Sequence, residues 1–421
     1  MIWPRIRLGQ ALETAPIFVD GDWVESKDQD PQGDVRLIQL ADVGEGFYID
    51  KSNRFLTSAA ADRLKCTFLE PGDILLARMP DPLGRACIFP GDSKRAVTVV
   101  DVCVIRVDKS RIDARWLMHC INSPGVRSEI GGYVTGTTRS RISRGNLSKV
   151  EIPLPPFPEQ RRIAAILDQA DALKAKRREA LVQLDSLTQS ILIEMFGDPV
   201  ENPKCWPTIR LGDHTAKMGS GATPTGGDAA YKTSGISLIR SLNVRDGVFA
   251  YKDLAFIDDA QAAKLSNVVV CAGDVLLNIT GASVARVCRA PIDVLPARVN
   301  QHVMVIRPKS TVDGVFLERM LLSRNMKRLL LQIGGSGATR EAITKAQASE
   351  LTVICPPLAL QQTFATRSQA VESLKATHRA ALAESNALFA SLQHRAFTGQ
   401  LSAGQRPAAF ATIAPCAPPT P

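Results

Sequence analysis

Residues 152–163 read IPLPPFPEQRRI, and the related stretch VICPPLALQQTF occupies residues 353–364. The proline cluster in each stretch forbids helix before it, and Pro158 suits the first turn of a helix that begins there. Each stretch is therefore expected to join a globular domain to a long helix. The two junctions are 201 residues apart (353 minus 152).

The same separation relates many other positions along the chain. Gly72-Asp73 recurs as Gly273-Asp274, and Val104-Ile105-Arg106 recurs as Val305-Ile306-Arg307. Chance matches would scatter over many offsets instead of keeping one register. The chain is therefore expected to hold two copies of one unit, each a globular domain followed by a long helix.

The composition of each globular domain predicts an α/β (α+β) fold. Val97 to Val107 and Val303 to Ile306 are apolar, β-branched runs typical of buried strands, whereas Arg115 to Cys120 and Val315 to Arg328 are expected to be helical. The expected division of the chain is domain 1 at residues 1–157, helix 1 at 158–197, domain 2 at 198–357, helix 2 at 358–400 and a disordered tail at 401–421.

Apolar residues in the two helices recur at spacings dominated by three and four, as in a coiled-coil seam. This pattern predicts that the helices pair as an antiparallel coiled coil. The expected seam and docking residues are Ile163, Ile166, Leu173, Leu184, Leu187 and Ile191 in helix 1, and Phe364, Val371, Leu374, Leu388 and Leu392 in helix 2.

The chain is basic, with a formal net charge of +9 and a pI near 9.2. A surplus of Lys and Arg favours a polyanionic partner, although many basic proteins bind no nucleic acid. Nine cysteines occur singly, without a C-x-x-C pair, and no apolar run is long enough for a membrane span. We therefore expect a cytoplasmic protein that does not enter a membrane.

Sequence motifs for catalysis are absent. Gly219-Ser220-Gly221 lacks the Gly-Lys-Ser/Thr of a phosphate-binding loop, and no H-E-x-x-H or G-x-S-x-G is present. Asn202-Pro203-Lys204-Cys205 departs from an adenine methyltransferase loop after two residues. We expect no catalytic residue, no metal ligand and no cofactor in this chain.

These features identify a family resemblance. From Trp3 to about Gln400 the chain resembles the specificity (S) subunit of type I restriction-modification enzymes, most specifically in the junction at residues 152–163 and in the helix end MFGDPVENPK at residues 195–204. The second junction departs from the family, because Leu358-Ala359-Leu360-Gln361-Gln362 lacks the acidic residue of the Glu-Gln pair.

The resemblance implies a function and a set of partners. Each globular domain would be a target-recognition domain for one half of a bipartite, non-palindromic site in double-stranded DNA. The paired helices would set the distance between the domains and dock two methyltransferase (M) subunits, with restriction/translocase (R) subunits completing the complex. S-adenosylmethionine, ATP and Mg are then expected on the partner subunits.

Two classes of residue are candidates for DNA contact. Thr138, Arg139 and Arg141, with Thr339 and Arg340, occur in matching polar loops, and shared residues suit phosphate contacts or turns better than they suit different half-sites. Positions at which the copies differ are better candidates for base reading. They are Gln39 against Arg240, Arg78 against Ile279, and Asn278 against Ala77.

Three other interpretations remain open from the sequence. The chain could serve a methylation-only or phage-exclusion system without a nuclease, a difference that the sequence does not encode. A self-contained DNA methyltransferase is disfavoured by the missing cofactor motif. A coiled-coil scaffold without DNA contact would differ by lacking salt-dependent DNA binding.

Overall fold

The computed structural model describes residues 3–80, 82–134, 140–335 and 341–401. Its described residues form two compact units, unit 1 within 3–176 and 381–401, and unit 2 within 177–380. This division differs from the linear one expected from the sequence. Each long helix contributes one half to each unit, so a unit is a globular domain together with one end of both helices.

Unit 1 contains two sheets and a short strand pair. Its strands are β1 (Arg5–Arg7), β2 (Ile17–Asp20), β3 (Val35–Ile38), β4 (Phe55–Leu56), β5 (Ile74–Ala77), β6 (Ala86–Ile88), β7 (Arg95–Thr98), β8 (Val102–Arg106) and β9 (Glu151–Pro153). The four-stranded antiparallel sheet has the order β2-β8-β5-β6, and the other sheet has the order β4-β3-β7 with β3 and β7 parallel. Strands β1 and β9 pair and close the domain at its two chain ends.

The helices of unit 1 are α1 (Leu8–Ala11), α2 (Ser58–Arg63), α3 (Ala114–Ile121), α4 (Pro124–Gly132), α5 (Arg144–Leu147) and the first half of α6 (Phe157–Phe196). Most of them cover one face of the four-stranded sheet, whereas Ala61 of α2 lies in a separate core with Val35 and Leu37 of β3. Trp116 of α3 is fully buried in the main core together with Ile74 and Ile105 of the sheet. A second core, with Leu75 and Val104, lies on the opposite face.

Unit 2 repeats this plan. Its strands are β10 (Thr208–Arg210), β11 (Thr215–Ser220), β12 (Ile236–Ile239), β13 (Val244–Arg245), β14 (Val248–Phe249), β15 (Ala255–Ile257), β16 (Val269–Val270), β17 (Val275–Asn278), β18 (Val287–Arg289), β19 (Ala297–Val299), β20 (Val303–Pro308) and β21 (Thr352–Ile354). The two four-stranded sheets have the orders β11-β20-β17-β18 and β15-β12-β19-β16. Its helices are α7 (Asp259–Ala263), α8 (Gly314–Leu321), α9 (Arg324–Gly335), α10 (Lys345–Ser349) and the first half of α11 (Leu358–Phe397).

Two elements predicted from the sequence are each divided in the structure. Val97 to Val107 forms two strands, because β7 belongs to the sheet of β3 whereas β8 belongs to the sheet of β5, with a turn closed by a 2.9 Å hydrogen bond from Val102 N to Val99 O. Val315 to Arg328 forms α8 and the start of α9, with a break at Ser323. An apolar run does not by itself reveal such changes of direction.

The two predicted long helices are present, and each has 40 residues. In unit 1, Ile163 and Leu167 of α6 share a core with Leu392 and Ala396 near the end of α11. In unit 2, Phe196 at the end of α6 lies in the core near the start of α11. The helices therefore pair antiparallel. No described helix is both long and apolar enough to cross a membrane.

A tryptophan before each domain closes the end of a helix. Trp3 Nε1 donates to Ala396 O of α11 at 2.8 Å, and Trp206 Nε1 donates to Phe196 O of α6 at 3.0 Å. The last carbonyls of a helix have no partner within the helix. Each indole satisfies one of them, so the start of each globular domain is tied to the helix end in its own unit.

Candidate nucleic-acid interface

Four chain segments meet at the same edge of the central sheet in each unit. We call this region the strand-end face: residues 39–43, 77–80, 82–86, 99–102 and 140–142 in unit 1, and residues 240–244, 278–287, 300–303 and 341–343 in unit 2. In unit 1, Arg78 N donates to Asp101 O at 2.9 Å. In unit 2, Ile279 N donates to His302 O at 3.0 Å. The strand-end face contains most of the predicted DNA-contact residues within the described ranges.

Arg78 is buried at the strand-end face of unit 1. Its Nε donates to Ile142 O at 3.0 Å and its NH1 donates to Val100 O at 3.1 Å, and the same NH1 lies 2.7 Å from an Asp20 carboxylate oxygen. The guanidinium thus ties the sheet to the segment that follows the predicted polar loop. Reading a base would require Arg78 to leave these partners, which is costly for a buried charge.

Arg141 lies beside it and is partly exposed. Its NH2 donates to Val100 O at 3.3 Å and lies 3.3 Å from Asp101 Oδ1. Arg78 and Arg141 therefore approach the same carbonyl, and each is accompanied by a carboxylate. The positive charge of this face is largely balanced by Asp20 and Asp101.

Arg85 is the third guanidinium of the same face and is also buried. Its Nε donates to Val43 O at 2.6 Å, its NH2 to Leu40 O at 2.8 Å and its NH1 to Pro82 O at 2.9 Å. Neighbouring Gln39 is half-buried and begins a short 3-10 turn, with its backbone N donating to the buried Asp42 carboxylate at 2.7 Å. The arginine holds that turn against the sheet.

The counterpart residues in unit 2 make different bonds. Asn278 is fully buried at the end of β17, where its Nδ2 donates to Ser241 O at 2.8 Å and to Val244 O at 3.4 Å. Arg240 is half-buried, and its NH2 donates to Asp253 O at 2.6 Å while its guanidinium lies over the Tyr231 ring. Asn278 therefore supports the face from below, and Arg240 lies at its edge.

An open cavity of about 430 Å³ lies on the strand-end face of unit 2. Thr280 Oγ1 and His302 Nδ1 in its wall are 2.6 Å apart, and Gln301 Nε2 lies 3.1 Å from His302 Nε2. Arg286 is half-buried in the same wall. The lining residues are Ser241, Leu242, Thr280, Gly281, Ala282, Ser283, Arg286 and His302, none of them acidic.

Four predicted contact residues, Thr138, Arg139, Thr339 and Arg340, lie outside the described residues. The segments that flank them reach the strand-end faces: Ile142 N donates to Arg78 O at 3.1 Å in unit 1, and Gly281 N donates to Glu341 O at 2.9 Å in unit 2. The assignment of DNA-contact roles to individual residues stays a prediction.

The buried row of the helices differs from the predicted seam at two positions. Among the predicted residues, Ile163, Leu184, Phe364, Val371 and Leu392 are buried, and Ile166, Leu173, Ile191 and Leu388 are half-buried. Leu187 and Leu374, however, are 41% and 46% exposed, so their placement in the seam is wrong. The buried row instead passes through the next residue in each helix, Thr188 and Lys375. Any part of the two leucines in partner docking stays a prediction.

Buried lysines explain this register. Lys174 Nζ lies 2.6 Å from Asp171 Oδ1 and 3.5 Å from the centre of the Phe389 ring. Lys375, at the matching position of α11, lies 2.8 Å from Asp185 Oδ1 and 3.0 Å from Glu372 Oε1. A lysine stem covers apolar surface as a leucine does, provided that its ammonium finds a partner. Buried residues therefore still recur every three or four positions along each helix, and some of them are polar.

A glutamine fastens each long helix to its globular domain. Gln160 Oε1 accepts from Asp113 N at 2.9 Å and its Nε2 donates to Pro155 O at 3.0 Å. Gln361 makes the same two bonds, with Asp313 N at 2.9 Å and Pro356 O at 2.7 Å. The glutamine of the Glu-Gln pair is thus the residue that joins the helix to the domain. In α11 the preceding residue is not acidic, yet Gln361 makes the same two hydrogen bonds.

Comparisons with known proteins agree with this architecture. Residues 17–183 match the family profile of the type I restriction modification DNA specificity domain. The putative type I restriction enzyme MjaX specificity subunit of Methanocaldococcus jannaschii is 23% identical over 326 residues, which cover 72% of each chain. The type I restriction enzyme EcoBI specificity subunit of Escherichia coli is 25% identical over 341 residues, covering 72% of this chain and 69% of that protein.

The chain is thus similar to type I restriction enzyme specificity subunits over most of its length. Solved structures extend this likeness to almost the whole chain. A chain of a type I R-M system gives a TM-score of 0.58 at 20% identity, with 95% of this chain and 98% of that chain covered. The S subunit from M. genitalium gives a TM-score of 0.57 at 14% identity, with 94% and 96% covered. At these identities the likeness establishes the fold.

Proposed function

We propose that this chain is the sequence-specific DNA-recognition subunit of a type I restriction-modification complex. The strand-end face of unit 1 would contact one half of a bipartite site, and that of unit 2 would contact the other half. The observation that carries the proposal is that one scaffold occurs twice with chemically different faces. A non-palindromic split site requires such a pair of related but unequal readers.

The two faces differ in charge as well as in shape. In unit 1, the carboxylates of Asp20 and Asp101 accompany Arg78 and Arg141. In unit 2, the position of Asp101 is taken by His302, and the described cavity beside it has no acidic lining residue. Base edges are distinguished by the arrangement of donors and acceptors. Faces with different arrangements would therefore select different half-sites.

The helices would separate and organise the readers. A helix of 40 residues is about 60 Å long at the usual rise per residue, which exceeds one turn of B-DNA, about 34 to 36 Å. We propose that an unread spacer separates the half-sites. Exposed apolar residues on the helices, such as Val182, Leu187 and Leu374, would be available to partner subunits.

Chemistry would be left to those partners in the cytoplasm. Two methyltransferase subunits would bind S-adenosylmethionine, and restriction/translocase subunits would use ATP and Mg, while this chain supplies no catalytic group. The sequence-based absence of cofactor and nucleophile motifs supports this division of labour.

A genome-wide map of N6-methyladenine tests the proposal. Cells that express this chain with its neighbouring methyltransferase would be compared with cells that lack only this chain. We expect a split, non-palindromic motif whose methylation disappears without the chain. Identical maps, together with DNA binding by the purified complex that does not weaken with added salt, would contradict the proposal.

A further inference from the structure

Arg85 and Arg286 occupy equivalent positions of the repeat but have different environments. Each follows the turn after the central strand, β5 in unit 1 and β17 in unit 2. Arg85 is buried and bonded to several main-chain carbonyls. The guanidinium of Arg286 has no hydrogen bond or ion pair with any residue that the structure describes, and it lines the cavity of unit 2.

Asn278 accounts for the difference. In unit 1, Arg85 donates to Leu40 O and Val43 O. The equivalent carbonyls in unit 2 are those of Ser241 and Val244, and Asn278 Nδ2 donates to both. The residue equivalent to Asn278 in unit 1 is Ala77, which has no donor in its side chain. The asparagine thus takes the structural role that the arginine has in unit 1.

The released guanidinium lies among hydrogen-bonding groups, none of which is a carboxylate. Thr280, Ser283 and His302 share the cavity wall with it, and Gln301 orients His302 through their 3.1 Å contact. A guanidinium that lines an open cavity without a carboxylate is available to an electron-rich partner from outside. Arginine presents a planar fork of donors, which fits two neighbouring acceptors better than one point charge.

We propose that Arg286 determines specificity in unit 2 by donating a pair of hydrogen bonds to O6 and N7 of a guanine in the second half-site. This inference rests on the proposed function. A bidentate contact from arginine to these two atoms distinguishes guanine from the other bases in the major groove. A base contact is favoured over a phosphate contact because the availability of Arg286 is specific to one copy, whereas phosphate positions are common to both half-sites.

The test uses methylation maps of the assembled system with Arg286→Gln and Arg286→Lys. Both variants lose the fork, and Lys keeps the charge. We expect each to relax one guanine position in one half of the motif, with discrimination lowered about 10-fold or more, while the other half stays unchanged. Arg328→Gln on α9 is the matched control, since it removes one positive charge from an exposed residue outside the cavity, and its motif should equal that of the wild type.

Asn278→Ala provides an independent variant. Without the asparagine, the carbonyls of Ser241 and Val244 lose their donor, and Arg286 is expected to fold back onto them as Arg85 does in unit 1. The same guanine position should then relax although Arg286 itself is unchanged. A motif relaxed at another position in this variant would contradict the link between the two residues.

Several outcomes would overturn the proposal. A uniform loss of methylation over all sites, with a weaker salt dependence of DNA binding, would make Arg286 a phosphate contact. An unchanged motif in Arg286→Gln, or full discrimination by Arg286→Lys, would exclude the bidentate contact. An unfolded Arg286→Gln chain would make Arg286 a structural residue like Arg85. If the wild type itself gives no motif that depends on this chain, the proposed function fails instead.

Discussion

The strand-end faces of units 1 and 2 have the same backbone arrangement, but their arginines differ in burial and hydrogen bonding. In unit 1, Arg78 and Arg85 are buried and bonded to main-chain carbonyls. In unit 2, Ile279 replaces the first, and Arg286, the equivalent of the second, lines an open cavity. Exchanging the donor beneath a face, here Asn278 for Arg85, therefore changes the surface chemistry of that face while the sheet is kept.

The scaffold beneath the faces contains the same ion pair in the two units. Arg106 Nε and NH2 donate to the two carboxylate oxygens of Asp73, each at 2.8 Å. Arg307 does the same with Asp274, again at 2.8 Å for both bonds. These are the Gly-Asp and Val-Ile-Arg segments that recur in the sequence. The repeated residues therefore maintain the fold, whereas the faces are free to diverge.

The largest expected effect separates the two equivalent arginines. Arg85→Ala would leave buried carbonyls of Leu40 and Val43 without their donor and should lower the free energy of unfolding by about 3 kcal/mol. Arg286→Ala removes no bond among the described residues and should change it by less than about 0.5 kcal/mol. Chemical denaturation of the purified chain measures both. Equal losses would remove the distinction between the faces.

A pair of equal effects is expected at the helix junctions. Gln160→Ala and Gln361→Ala each remove bonds to one half-buried main-chain donor and one buried carbonyl, so each should cost about 2 kcal/mol. Because the geometry is the same in both units, the two losses should agree within about 1 kcal/mol. Denaturation curves of the two variants, with Gln362→Ala at a neighbouring exposed position as control, test this. A clearly larger loss in one unit would show that the scaffolds are not equivalent.

The smallest expected effect is a dependence on pH that belongs to unit 1. Burial raises the pKa of Asp22 to about 6, against the opposing hydrogen bonds from Thr67 and Cys66. The Asp22 carboxyl therefore becomes protonated at a higher pH in the folded chain than in the unfolded chain, where its pKa has the ordinary value of 3.8. Above pH 6 the ionised Asp22 carboxylate lowers the free energy of unfolding. This destabilisation disappears as the pH falls towards 3.8, because the carboxyl becomes protonated.

Asp22→Asn should remove that dependence. At pH 7 the variant should be more stable than the wild type by about 1 to 2 kcal/mol, and the advantage should shrink on acidification. Unit 2 has Ala222 at the corresponding place after Gly221, so it contributes no such term. Free energies of unfolding at several pH values give the comparison, and an advantage that grows as the pH falls would have the wrong sign.

The two long helices and the two-copy plan could be predicted from the sequence because their signals are local and repeated. Proline clusters give the starts of α6 and α11, and the separation of 201 residues (353 minus 152) gives the duplication. The seam register could not be predicted fully, since hydrophobicity favours Leu187 and Leu374 over the adjacent Thr188 and Lys375. Glu372, one partner of Lys375, is three residues away on the same helix, but Asp185 of α6 is brought to Lys375 only in the folded chain.

The face residues were predicted less well than the elements that carry them. Differences between the copies favour Arg78 and Asn278 as candidates for base reading, and both residues lie at the strand-end faces. Their burial shows that a polar residue that occurs in only one copy can stabilise the fold. Arg286 was missed for the opposite reason, because it is identical to Arg85 and only its released side chain distinguishes it.

In the proposed function, each face independently selects one half of the site. The most direct test replaces the globular domain of unit 1 with a second copy of that of unit 2, and maps N6-methyladenine in cells that also contain the neighbouring methyltransferase. Our account predicts a split motif in which both halves carry the half-site of unit 2. A map that keeps the original first half-site would contradict it.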